Sequence, residues 1–205
     1  LKVNVAGTVI HVAMEKEYLG YILVRDEIKP DAKEAIKSLK ASGINKVIML
    51  TGDRKEIASS VADELSLDEY YSDLLPIDKV NKVEALLKDN KGKDKLIFVG
   101  DGINDAPVLA GADVGAAMGS GADAAIEAAD AVFMTSSVGS IPEAIRIAKD
   151  TNRIAVQNVV FALAVKVFVM ILGLLGHANM WMAVFADTGV AMICVMNSIR
   201  VLYKK

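Results

Sequence analysis

The residues best suited to chemistry stand in Gly100-Asp101-Gly102-Ile103-Asn104-Asp105-Ala106-Pro107, where two carboxylates and an amide crowd into one short turn. Hard oxygen ligands so close together suit Mg²⁺, which keeps several waters and takes one or two carboxylates from protein. Asn104 can donate to a phosphoryl oxygen. A second set, Thr51-Gly52-Asp53, brings a hydroxyl and a carboxylate, and Thr51 can hold a phosphate oxygen. Lys79 offers a compact cationic charge to the same anion, although a solvated helix lysine would look the same. The glycines and Asn104 or Asp105 would also serve a turn and a helix cap. Two further charges, Lys166 and Asp187, sit alone inside long apolar runs.

These groups need a scaffold that holds them at one edge. The unbroken apolar run Lys95-Leu96-Ile97-Phe98-Val99 predicts a strand buried on both faces. A strand ending in Gly-Asp-Gly leaves its last side chains at the carboxyl edge of the sheet, where open α/β folds keep their ligands. Val47-Ile48-Met49-Leu50 delivers Thr51-Gly52-Asp53 to the same edge, beside Asp101. Strands at 46–50, 95–99, 114–118 and 131–134 alternate with helices from Arg54, at 78–88 and after Asp105, which predicts a parallel sheet covered by helices. Pro30 suits a first helical position, with Ala35, Ile36 and Leu39 at helical spacing behind it. Gly43 and Gly111 are placed to end helices in the left-handed conformation. Upstream, 8–14 and 18–24 form a predicted hairpin; His11 in its first strand reads as an ordinary strand residue.

The chain has 205 residues, 53% of them hydrophobic, with 24% charged and a net charge of −3. Its mean hydropathy of +0.38 is too apolar for an ordinary soluble domain, so charge and apolarity must be segregated. They are, because residues 1–149 are mixed while Ile154 to Leu202 is almost free of charge. No basic cluster with interleaved aromatics is present, which excludes nucleic acid as a partner. The single cysteine, Cys194, cannot close an internal disulfide and lies in the apolar tail as a small hydrophobe.

Residues 156–175 are about long enough to span a bilayer, and 181–202 offer a second span after Gly176-His177-Ala178-Asn179. Arg146, Lys149 and Arg153 flank one outer end, Arg200, Lys204 and Lys205 the other, and the connection has neither Lys nor Arg. Both ends are therefore expected on the cytoplasmic side. Each of Lys166 and Asp187 costs on the order of 3 kcal/mol at a helix centre. Counted from the connection their depths differ by only ~5 Å, so they can pair. An ion path or a structural ion pair would account for them. Met180, Met182, Met192 and Met196 read as filling of apolar helices, and His177 as an interfacial residue.

Thr51-Gly52-Asp53, then Lys79, then Gly100-Asp101-Gly102 with Asn104-Asp105, in that order on alternating strands, resembles the haloacid-dehalogenase superfamily and, within it, the P-type ATPases. Gly111-Ala112-Asp113-Val114-Gly115, Ala117-Met118-Gly119-Ser120-Gly121 and Glu127-Ala128-Ala129-Asp130 follow the same pattern. The resemblance implies an α/β fold, a HAD-like (Rossmann-type) phosphorylation domain followed by a two-helix transmembrane hairpin. It divides the chain into residues 1–25, the last hairpin of a nucleotide-binding domain; 26–149, the phosphorylation domain; and 150–205, the last two membrane helices. It implies ATP as substrate, Mg²⁺ held by Asp101 and Asp105, and an aspartyl-phosphate formed and hydrolysed. The family's nucleophile lies in Asp-Lys-Thr-Gly-Thr, and neither Asp78-Lys79 nor Asp94-Lys95 continues into Thr-Gly. The chain is thus expected to be a C-terminal fragment, inactive alone, whose upstream part carries that aspartate.

Asp187-Thr188-Gly189 followed by Asn197 and Arg200, with Lys166 on the preceding helix, is similar to the zinc/cadmium/lead exporters. There the aspartate is a ligand of the transported metal and the lysine its charge partner. A copper exporter would bring Met and Ser instead of a carboxylate, so Asp187 favours a borderline divalent ion, Zn²⁺, Cd²⁺ or Pb²⁺. The resemblance implies a multi-pass protein of a bacterial plasma membrane with its head in the cytoplasm. A membrane-tethered phosphatase of the same superfamily and a truncated non-catalytic product are the other readings open to the sequence.

Overall fold

The computed structural model describes residues 8–15, 17–24, 27–89, 94–101, 103–119 and 123–203. The expected boundary at 25/26, together with Gly102, Ser120, Gly121, Lys204 and Lys205, lies outside the described residues. The chain divides into two compact units, 1–139 and 140–205.

In the first unit, β1 (Thr8–Met14) and β2 (Glu17–Val24) form the antiparallel hairpin, turning through Glu15 at φ 48°. Then α1 (Ala32–Ala41) buries Ala35, Ile36 and Leu39 on one face, as their spacing requires. It stops at Gly43, φ 85°, where Gly43 N–H bonds Lys40 O and Ile44 N–H bonds Leu39 O. That is the paired closure that a left-handed glycine permits.

The strands β3 (Ile48–Leu50), β4 (Glu69–Tyr71), β5 (Ile97–Gly100), β6 (Val114–Met118) and β7 (Ala131–Phe133) are all in parallel pairs. Helices α2 (Lys55–Leu65), α3 (Pro76–Asp89), α4 (Ala106–Gly111) and α5 (Asp123–Ala128) run between them. The expected sheet comes in two hydrogen-bonded pieces, β3-β4 and β5-β6-β7. This corrects the burial expected for the 95–99 run: β5 is an edge of its piece and half-exposed, whereas β6, flanked on both sides, is buried from Gly115 to Met118. The core gathers Leu109, Ala117 and Ala125, with Phe98 and Ile126 against them. Gly111 does not turn left-handed; the chain leaves α4 through an extended Ala112 straight into β6.

One device sets the register three times. The residue just before β4, β6 and β7 is an aspartate, and each carboxylate accepts the backbone N–H one place ahead of the strand register. Asp68 takes Val47 N–H at 2.8 Å, Asp113 takes Leu96 N–H at 3.0 Å and Asp130 takes Gly115 N–H at 2.9 Å. Lys40 and Lys95 add ion pairs to the first two, each at 2.8 Å. Those lysines and then the N–H groups hold the Asp68 and Asp113 carboxyls below the usual carboxylate range. Near the end of the unit, Asp31 accepts from Ser137 Oγ at 2.6 Å and Gly139 N–H at 3.0 Å, which likewise lowers its pKa, the serine bond first.

The second unit is a helical hairpin. Helix α6 (Ser140–Leu174) has 35 residues and runs unbroken through the 149/150 position at which the sequence pattern placed a boundary. It ends at Gly176, φ 77°, with His177 N–H on Leu172 O. Asn179 caps α7 (Met180–Val184) by accepting Met182 N–H at 2.9 Å. A π-helical turn, Phe185–Gly189, then leads into α8 (Val190–Tyr203). Both arms, Ser140–Leu174 and Met180–Tyr203, are long and apolar enough to cross a membrane, with mean hydropathies of 2.2 and 1.6. Only 6% and 11% of those apolar stretches are buried, so their side chains face outward, unlike a soluble core helix.

Candidate functional site

Asp68, Asp113 and Asp130 at the amino ends of strands thus serve register, and a separate set of polar side chains stands at the carboxyl ends. After β3, Thr51 Oγ donates to Asp53 Oδ2 at 2.8 Å and accepts Asp53 N–H at 3.1 Å. This closed pair is stitched to the loop after β4, where Asp73 N–H bonds Asp53 O and Leu74 N–H bonds Thr51 O. Gly52 lies between them, and a Cβ there would stand 3.3 Å from Leu74 O.

Beyond β4, Leu75 and Pro76 start α3, and the Asp78 carboxylate reaches back to accept Leu75 N–H at 3.0 Å. The next residue, Lys79, points its ammonium at Asp105 Oδ1, 2.8 Å away. The Lys79 and Asp105 side chains are only 19% and 11% exposed, so this is a largely desolvated pair. Asp105 closes the 3₁₀ turn Ile103–Asp105 after β5 and lies against Gly100: a Cβ at Gly100 would stand 2.9 Å from Asp105 Cβ and 3.0 Å from its Oδ2. The missing side chain of Gly100 is what admits the carboxylate. The ion pair bridges the two sheet pieces near their carboxyl ends, and Asn45 Nδ2 to Asp94 Oδ2, at 3.2 Å, bridges them at the amino ends.

Of the residues singled out in the sequence, the structure therefore joins Thr51 with Asp53 and Lys79 with Asp105. Asp101 and Asn104 stand exposed at the end of β5 and on the turn after it. Lys79 meets a carboxylate here, the same charge type as the anion assigned to it. The donor set fits Mg²⁺, because Asp101 and Asp105 are hard oxygen ligands and that ion asks for no more than one or two. Among the described residues no group of three or more His, Cys, Asp or Glu is placed to hold a metal, so a closed zinc-type cage is not built here.

In the helical unit, Lys166 Nζ lies 3.1 Å from Asp187 Oδ1, with side chains 52% and 77% exposed. A recess beside them is lined by Lys166, Val169, Met170, Ala183, Ala186 and Asp187. Asp187 is the middle residue of the π turn, a feature with no counterpart in the sequence reading. Gly189 is bare for a reason: a Cβ there would stand 2.6 Å from the Phe185 ring. Nearer the charged ends of the arms, Asn158, Asn197 and Ser198 form a polar cluster. Sequence reasoning passed over Asn158 and Ser198, although an amide inside an apolar span is itself the signal.

Residues 3–113 match the family model of haloacid dehalogenase-like hydrolases. A zinc-transporting ATPase of Synechocystis sp. is 53% identical over 97% of this chain and 28% of its own length. A cadmium, zinc and cobalt-transporting ATPase of Bacillus subtilis is 54% identical over 98% of this chain and 29% of its own. The crystal structure of a zinc-transporting PIB-type ATPase in the E2·Pi state superposes with a TM-score of 0.83 at 39% identity, covering 95% of this chain and 31% of that one. The chain thus spans less than a third of the length of these relatives.

Proposed function

This chain belongs to the haloacid dehalogenase-like hydrolase family and corresponds to the C-terminal portion of its zinc- and cadmium-transporting P-type ATPases, and from that premise we propose that the complete protein exports a divalent heavy metal at the expense of ATP. In this reading residues 1–25 are the last hairpin of a nucleotide-binding domain, 26–149 the phosphorylation domain and 150–205 the last two membrane helices. The cargo is Zn²⁺ or Cd²⁺, and the Bacillus relative's name adds cobalt. Pb²⁺ rests on the sequence resemblance alone.

At the head, Thr51 and Asn104 would hold phosphoryl oxygens, with Gly52 and Asp53 shaping the loop that presents Thr51. Asp53 fixes the Thr51 hydroxyl through the two bonds between them, so turning that hydroxyl toward a phosphate requires only a local exchange of partners. Lys79 would answer the phosphate charge, moving from Asp105 on its flexible stem. Asp101 and Asp105 would hold Mg²⁺, which when bound neutralises phosphoryl charge and orients its oxygens. The nucleophilic aspartate comes from the upstream part of the polypeptide. The two-piece sheet supports this, because among the described residues β3 pairs only with β4, and β5 only with β6. One more strand could enter between β3 and β5.

The observation that carries the transport reading is the Lys166–Asp187 pair, 3.1 Å apart on two helices able to span a bilayer. A tethered phosphatase has no use for charges at that depth, where each costs on the order of 3 kcal/mol. Asp187 would ligate the cargo and Lys166 would be its counter-charge when the cargo is gone. The Lys and Arg residues at the outer ends of both arms support a head on the cytoplasmic side. In the complete protein, Asp187→Ala should abolish metal-stimulated ATPase while phosphorylation backwards from inorganic phosphate survives. Loss of both would sink the assignment of Asp187 to cargo.

A further inference from the structure

One side chain joins the two membrane arms in three places. Asn158, on α6, donates from Nδ2 to Cys194 O at 3.0 Å and to Ser198 Oγ at 2.9 Å, and its Oδ1 accepts Asn197 Nδ2 at 2.8 Å. Both amide protons are used. Asn197 Oδ1 in turn accepts from Arg200 at 2.9 Å, Ser198 Oγ donates to Cys194 O at 3.0 Å, and the Cys194 thiol points at Asn158 O, 3.7 Å away. A chain of donors therefore runs from Arg200 through Asn197 to Asn158.

Between apolar helices in lipid there is no hydrophobic drive to choose one mutual orientation over another, so hydrogen bonds and close fit decide it. The bonds to Cys194, Asn197 and Ser198 converge on one residue of α6. Turning α8 by one residue, or sliding it by one turn of ~5.4 Å, breaks all three together. Lys166 lies two turns along α6 from Asn158, ~12 Å, and Asp187 lies a comparable distance back along the second arm from Cys194, in the π turn that precedes α8. The π turn intervenes on the second arm only. The place of Asp187 against α6 is therefore set by two things, the phase of α8 at the amide cluster and the extra winding of the π turn.

We propose that Asn158 is a positioning residue, fixing the rotation and axial register of α8 against α6 and so holding Asp187 opposite Lys166, where the cargo cation reaches it. The cargo half of this statement rests on the export reading; the register half does not. Asn158 touches neither Lys166 nor the cargo, and acts through α8.

The test uses the complete protein in its membrane. A hydrophobic carbodiimide activates the Asp187 carboxyl, and the Lys166 amine attacks it to give an amide with loss of the urea. The joined peptides are counted by mass spectrometry. Asn158→Leu, similar in size and without hydrogen bonds, should cut the yield roughly tenfold, and Ser198→Ala, which removes one acceptor, roughly threefold. In the same preparations Asn158→Leu should raise the half-saturating zinc for ATPase roughly tenfold and leave phosphorylation from inorganic phosphate unchanged. An unchanged cross-link in Asn158→Leu overturns the positioning role whatever the activity. A fallen cross-link with unchanged half-saturating zinc overturns its connection to cargo. If Asn158→Leu does not accumulate in the membrane, Asn197→Ala and Ser198→Ala carry the test, and unchanged yields in both overturn it. An unsubstituted protein that cross-links normally but shows no zinc-stimulated ATPase would remove the export reading instead, with register intact.

Discussion

Replacing Lys79 by methionine keeps the length of the side chain and removes the ammonium that the structure places on Asp105, 2.8 Å away. Exposed ion pairs are worth about 1 kcal/mol or less, whereas leaving one partner of a buried pair alone costs about 3–5 kcal/mol. With the two side chains 19% and 11% exposed, the pair lies close to the buried limit. The two single substitutions should differ, because the partners differ in freedom. Asp105 is short and held on a 3₁₀ turn against Gly100, so it cannot move further into water, while Lys79 can swing its head out on a flexible stem. We expect Lys79→Met to cost about 2–3 kcal/mol and Asp105→Asn about 1 kcal/mol, with the double variant near the smaller value. Pulse proteolysis across a urea series, scored on fragments of residues 1–139, reads these differences directly. Millimolar Mg²⁺ should return most of the loss in Lys79→Met, since it supplies the missing positive charge to the same carboxylate, and should do nothing for the double variant. The reasoning is refuted if Lys79→Met costs no more than Asp105→Asn, or if Mg²⁺ rescues both variants alike.

Three other substitutions probe different links. Asp101→Asn removes a hard-ligand charge at the end of β5 and should suppress Mg²⁺-dependent phosphoenzyme in the complete protein, whether formed from ATP or from inorganic phosphate. An unaffected phosphoenzyme would take Asp101 out of the metal site. Gly189→Ala puts a methyl group 2.6 Å from the Phe185 ring, so the ring or the π turn must shift. Overpacking of that kind costs about 1–3 kcal/mol, and we expect a lower thermal midpoint in detergent together with weaker zinc activation; normal values for both would make the close approach irrelevant. The Asp31 carboxyl is depressed by Ser137 and Gly139, so the stability it supplies is present above its unfolded value and lost as pH falls through the lower folded one. Asp31→Asn should therefore lower the urea midpoint of residues 1–139 at pH 7 and converge with the unsubstituted protein near the acid limit of the carboxylate range. A constant gap across that window would refute the linkage.

Much of the head was legible because its signals are local. The helical spacing of Ala35, Ile36 and Leu39, the stop at Gly43 and the apolar runs ending in Thr51 and Gly100 are each written within a few residues. β4 was not legible: Glu69-Tyr70-Tyr71 is too short to show a period, and becomes a strand only because β3 lies beside it. The half-exposure of β5 was not legible for a related reason, since among the described residues it pairs only with β6. An apolar run tells that a strand is in a sheet, but only its neighbours tell whether it is an edge or, like β6, a centre.

The sequence by itself determined which residues can do chemistry and on which arm or loop they stand, because side-chain identity, helix rise and strand period are properties of a chain segment. It even placed Lys166 and Asp187 at matching depth from a count of residues. Tertiary structure alone decided the partners: Lys79 on Asp105, Thr51 on Asp53, Asn158 on three residues of α8, and three aspartates spent on register. Apart from the local Thr51–Asp53 pair, whose loop is held by Asp73 and Leu74, those choices depend on the relative rotation and sliding of elements far apart in the chain. A π turn changes that phase by shifting the backbone hydrogen bonds of a single turn, and no residue pattern announces it.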